Sequence, residues 1–106
     1  MNDGLKPRHR ETIIAELKKC PKLKKAILFG SRAMGTCTPE SDIDIALEGD
    51  LDLTDQAELA EKLNQTSIPY TVDLVRTHTI TDSDLKEHIR RHGKTWWERK
   101  AAADRL

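Results

Sequence analysis

Two kinds of hydrophobic spacing run along this chain. In Asp42-Ile43-Asp44-Ile45-Ala46-Leu47-Glu48, apolar and polar residues alternate with period two, which predicts a half-buried strand over 42–48. Ile43, Ile45 and Leu47 then face a core, and Asp42 and Asp44 share the opposite face. A second strand is predicted over 26–29, where the apolar run Ala26-Ile27-Leu28-Phe29 stops at Gly30-Ser31. A third is predicted over 68–75, and the same alternation sets Asp73 with Thr71 and Val75. Between and around these segments the spacing is helical. Pro7 suits the first turn of a helix over 7–19 with a thin stripe of Ile13, Ile14 and Leu17, joined by Leu5. Residues 31–34 read as one helical turn closed by Gly35, and 36–40 as loop. Asp52 or Thr54 can cap a helix to Asn64 whose buried side is expected to be Leu53, Ala57, Ala60 and Leu63. Thr81-Asp82-Ser83-Asp84 opens a last helix that ends at His92 before Gly93, with Leu85 and Ile89 as its apolar edge.

A strand, a helix and a strand in succession imply a right-handed parallel crossover, so the second and third strands should lie side by side. The expected fold is therefore α+β (mixed α/β): a three-stranded mixed sheet with helices over one face and the other left partly open. Residues 94–99 are either extended or packed on the sheet edge through Trp96 or Trp97. One of these indoles is expected in the core and the other at a partner surface. Residues 101–106 read as a frayed helix or a tail.

At 106 residues the chain is expected to be a single domain, 1–106, with a modest core, since only 4% of it is aromatic. The formal net charge is zero, but unevenly distributed. Residues 1–25 carry eight Lys/Arg and three acids, 26–75 carry two and ten, and 76–106 carry eight and five. The acidic middle suits a divalent cation and argues against an extended nucleic-acid groove there. No apolar run is long enough to span a membrane and no signal-peptide pattern opens the chain. Cys20 and Cys37 match neither a disulfide framework nor a zinc motif, so a cytoplasmic protein is expected.

The chemistry concentrates in 26–47. Two carboxylates side by side, about 5 Å apart, repel by roughly 3 kcal/mol at an effective dielectric near 20. Water or a cation must relieve that repulsion, and hard oxygen ligands of this kind suit Mg²⁺ shared with substrate phosphates. Gly30-Ser31, at a strand-to-helix turn, lets backbone N–H groups approach a phosphate. A turn and a helix cap would use the same two residues. Arg32 either steadies a phosphate or pairs with an acid. His88 and His92 lie four apart on the last helix, but no third ligand accompanies them, and the helix dipole favours histidine there without any metal.

Gly30-Ser31, ten intervening residues and Asp42-Ile43-Asp44 form the pattern of the polymerase-β-like nucleotidyltransferase superfamily. GSRAMG…SDIDIAL resembles in particular the minimal nucleotidyltransferases, and Asp73 fits the family's third carboxylate. The resemblance implies transfer of a nucleoside monophosphate, AMP from ATP, to a hydroxyl. Asp42, Asp44 and Asp73 would hold Mg²⁺, two ions with Mn²⁺ as a substitute, and serve catalysis. Gly30, Ser31 and Arg32 would bind the nucleotide. It implies as well a HEPN-domain partner whose tyrosine is the acceptor, making the chain an antitoxin of a toxin–antitoxin pair. Two alternatives stay open: an antitoxin that only occludes its partner, and a transferase acting on a small molecule. Met34 departs from the pattern, because close relatives often carry a basic residue there.

Overall fold

A computed structural model of the protein describes residues 4–99. The order is α1 (Pro7–Leu17), β1 (Leu23–Phe29), α2 (Ser31–Met34), β2 (Ile43–Gly49), α3 (Leu53–Asn64), β3 (Val72–Arg76), a 3₁₀ turn (Thr77–Thr79), α4 (Ser83–His92) and β4 (Lys94–Glu98). The sheet has four strands in the order β3-β2-β1-β4. β2 and β3 are parallel neighbours, as the crossover requires, and β1 runs antiparallel to both β2 and β4.

The expectation of three strands is corrected by β4. Ala26 pairs with Trp97 and Ile27 with Thr95, so Trp96 is the extra residue of a bulge. A bulge breaks strict alternation, which is why period-two reading could not place the segment. It also frees the adjacent indoles from lying on opposite faces. Trp96 is buried and Trp97 packs partly buried against the same core. Each carries a guanidinium over its ring, Arg10 on Trp96 and Arg99 on Trp97. Arg99 also donates to the carbonyls of Lys18, Cys20 and Leu23, fastening the end of β4 to the α1–β1 connection. Residues 101–106 lie outside the described residues.

Ile43, Ile45 and Leu47 are fully buried with Ile13 and Leu17 of α1 and Leu59 and Leu63 of α3. α3 is held by a capping box in which the Asp55 N–H donates to Asp52 and the Asp52 N–H to Asp55. Its buried residues are Leu59 and Leu63, not the expected stripe through Leu53 and Ala57; Leu53 is 67% exposed. Gln56 of the same helix donates to the Leu74 carbonyl and accepts from Arg76, tying α3 to β3.

Phe29 stands opposite Asp44 and Ile27 opposite Ala46 in the β1–β2 pair, so these four share the second face of the sheet. α4 covers the β1 side of that face. A Cβ on Gly93 would lie 2.6 Å from Ile27 Cγ2 and 2.4 Å from the Ile89 carbonyl oxygen, so only glycine allows this approach. The β3 side of the face, at the sheet edge, carries the exposed Asp73.

Candidate active site

Asp44 and Asp73 are direct register partners across the parallel β2–β3 pair, which sets both side chains on the same face. Asp42 is exposed one residue before β2, where the Ile43 N–H continues the ladder by donating to the Thr71 carbonyl at 2.9 Å. Asp44 is half-buried. Burial first, then the charges of Asp73 and Asp42, push its carboxyl above the usual aspartate range, with His88 opposing them. Asp42 and Asp73, both expected from the sequence, thus act on Asp44 through their charge. Among the described residues, no group of three or more histidine, cysteine, aspartate or glutamate side chains is placed to hold a metal ion by itself. An open carboxylate set short of positive charge is the donor chemistry that suits Mg²⁺, whose coordination is ordinarily completed by water and phosphate oxygens.

Gly30 lies against this set. Its φ of 77° is left-handed, and a Cβ built on it would fall 2.3 Å from Asp44 Oδ2. The Gly30 carbonyl accepts from the N–H groups of Ala33 and Met34, starting α2, and the Ser31 carbonyl accepts from the Thr36 N–H, closing it. Ser31 is partly exposed on this turn. Met34 is 45% exposed at the end of that turn.

Arg32 stands differently from the expected phosphate contact. It is the most buried charged residue described, 1% exposed. Its Nε and Nη2 donate to the Ser41 carbonyl at 3.1 and 2.8 Å, and its guanidinium stacks 4.7 Å from the Tyr70 ring centre. It thus ties α2 to the residue just before Asp42 and to the segment leading into β3. Tyr70 in turn meets His9 of α1 edge-on. Two donations to one carbonyl oxygen and the ring face offset part of the cost of burying this charge.

One residue that the sequence singled out only as half of a histidine pair reaches the Gly-Ser turn. His88 of α4 accepts the Gly30 N–H through Nε2 at 2.9 Å and meets the Phe29 ring edge-on. The available signal was its place in the stripe Leu85, His88, Ile89, His92, the spacing of a helix face turned to a core. His92 stacks beside it, ring centres 5.3 Å apart.

The family model described as "Polymerase beta, Nucleotidyltransferase" matches residues 11–102. A chain from a toxin–antitoxin complex with AMP-PNP is similar in structure with a TM-score of 0.71 and 35% identity, over 90% of this chain and 76% of that one. A chain from the complex of a tri-AMPylated Shewanella oneidensis HEPN toxin with its MNT antitoxin gives 0.66 and 32%, over 87% and 71%. A Methanocaldococcus jannaschii protein, provisionally named a protein adenylyltransferase, is 52% identical over 42 residues. That stretch covers 40% of this chain and 42% of the archaeal protein.

Proposed function

Because this chain belongs to the polymerase β nucleotidyltransferase family, we propose that it transfers AMP from ATP to a hydroxyl, specifically to a tyrosine of a HEPN-type toxin that it thereby silences. The observation that carries the reading is the pairing of Asp44 with Asp73 in register, with Gly30 against Asp44. The toxin–antitoxin relatives, one with AMP-PNP and one with an AMPylated toxin, support the choice of donor and acceptor.

Asp42, Asp44 and Asp73 would hold Mg²⁺, which when bound neutralises phosphate charge and polarises the α-phosphoryl group. Gly30 and Ser31 would receive the β- and γ-phosphates at the turn, through the Ser31 N–H and hydroxyl. Asp73 lies on the edge strand, where the acceptor enters without crossing α4, and takes the proton of the attacking hydroxyl. The hydroxyl oxygen bonds the α-phosphorus, the bond from that phosphorus to the bridging oxygen breaks, and pyrophosphate leaves. Arg32 holds the Ser41 carbonyl and thereby sets the approach of Asp42 to the strand. Neither Cys20 nor Cys37 forms a disulfide, which suits a reducing cytoplasm, and no described helix is long and apolar enough to cross a membrane.

The test is label transfer. With Mg²⁺ and a HEPN-type partner, α-labelled ATP leaves label covalently on the partner and γ-labelled ATP leaves none. Label retained from the γ-position would mean phosphoryl transfer instead, and no label from either would remove the enzymatic reading.

A further inference from the structure

α4 is joined to the Gly-Ser turn by a single polar contact that spans 58 residues of sequence, the hydrogen bond from the Gly30 N–H to His88 Nε2. A backbone N–H can only donate, so this nitrogen is the unprotonated one and the imidazole proton resides on Nδ1. The same ring meets the edge of Phe29 at 6.2 Å, and so grips the Phe29–Gly30 peptide from both ends. The helix is itself held. Its N-terminus is capped by Asp82, and its C-terminus lies on Ile27 through Gly93 and leads directly into β4. His88 is thus an acceptor on a fixed element, partly buried, aimed at the first residue of the turn.

A carboxylate also lies close to Gly30. Asp44 Oδ2 lies where a Gly30 side chain would begin, and a carboxylate accepts from an amide more strongly than an imidazole does. With the N–H turned to Asp44, one carboxylate oxygen would be taken by the protein's own backbone, and the peptide plane that sets the Gly30–Ser31 conformation would rotate. An uncharged acceptor on the other side keeps the donor away from Asp44 and leaves the carboxylate open to the cleft.

We propose that His88 is a positioning residue for nucleotide binding: by accepting the Gly30 N–H it fixes the Gly30–Ser31 turn in the form that receives the phosphates and keeps Asp44 available. This rests on the reading of Gly30-Ser31 as the phosphate turn. His88 touches no substrate itself, and its effect passes through Gly30.

The test compares His88→Phe, which keeps a ring against Phe29 and removes the acceptor, with His88→Gln, whose side-chain carbonyl can accept the same N–H. AMP-PNP with Mg²⁺ is titrated into each full-length protein, and the Gly30 amide and His88 ring nitrogens are followed by NMR in the unaltered chain. The expected result is a dissociation constant raised roughly five- to tenfold by His88→Phe, the scale of one lost hydrogen bond, with His88→Gln restoring most of the affinity. The unaltered protein should show His88 protonated on Nδ1. Equal affinity for His88→Phe and the unaltered protein overturns the proposal alone, as does an Nε2-protonated tautomer. If His88→Phe does not fold, failure of His88→Gln to bind within a few fold of the unaltered protein overturns it. No AMP-PNP binding by the unaltered protein overturns the nucleotide reading and the proposal together.

Discussion

Gly30 and Asp44 approach so closely that a single added carbon at position 30 would lie 2.3 Å from Asp44 Oδ2. The Gly30–Ser31 turn and Asp44 are therefore packed with no room for a side chain between them. Glycine is required twice over, since the φ of 77° is also disfavoured for any other residue. Gly30→Ala should cost about 1–3 kcal/mol of stability by chemical denaturation and displace the Asp44 carboxylate. AMP-PNP affinity should fall at least tenfold. An alanine variant as stable and as tight-binding as the unaltered chain would show that the turn has slack.

The charge of Asp44 sets a pH dependence. Its carboxyl is raised in the folded protein, so the native state binds its proton more tightly than the unfolded chain does. The resulting penalty is fully present at neutral pH, where the group is ionised in both states. It is relieved as pH falls through the raised value toward the ordinary aspartate range. Without divalent cations, Asp44→Asn should stabilise the protein at pH 7, on the order of 1 kcal/mol or less, and this gain should shrink over that same acidic interval. Denaturation curves at several pH values measure it. A gain that grows on acidification would contradict the assignment.

Cation binding should act on the same repulsion in the opposite sense. Mg²⁺ with ATP should raise the melting temperature of the unaltered protein, by the equivalent of about 2.7 kcal/mol when the ligand is at a hundred times its dissociation constant. Asp42→Asn combined with Asp44→Asn should abolish that gain and leave the apo protein folded. An undiminished shift in the double variant would place the ion elsewhere.

Arg32 provides a stability test separate from nucleotide binding. Removing it leaves the Ser41 carbonyl without its two donors and a gap beside Tyr70. Arg32→Ala should cost about 2–4 kcal/mol. Arg32→Lys should recover only part of this, because a lysine offers no planar fork. Near-neutral denaturation curves for both would restore the phosphate-contact role.

How far the sequence could be read follows from what each element depends on. β2 and β3 were legible because each is stabilised by alternation within itself, and the helix between them dictated their parallel pairing. The Asp42, Asp44 and Asp73 cluster came with that geometry, since register partners share a face. β4 was not legible: its pairing with β1 is non-local and passes through a bulge at Trp96, so no local period describes it. α3 was placed but buries Leu59 and Leu63, and the Gln56–Arg76 contact that ties it to β3 is one that hydrophobic spacing does not record. Arg32 and His88 were less legible for a related reason. Proximity to the Gly-Ser turn left Arg32 open between a phosphate contact and an ion pair, and its burial against Ser41 and Tyr70 follows from the fold. His88, distant in sequence, reaches the turn only after α4 has packed on Ile27 and Phe29.

Whether the three carboxylates serve transfer and not merely assembly can be decided at Asp73, which is exposed on the edge strand and lies outside the buried core. The measurement is intact-mass spectrometry of a HEPN-type partner after incubation with ATP, Mg²⁺ and either the unaltered chain or Asp73→Asn, alongside partner activity and complex formation. The account predicts an added AMP and loss of partner activity that outlasts dissociation with the unaltered chain, and a complex without added mass with Asp73→Asn. Full and lasting inhibition by Asp73→Asn, with no mass added by either protein, would contradict it and leave occlusion as the mechanism.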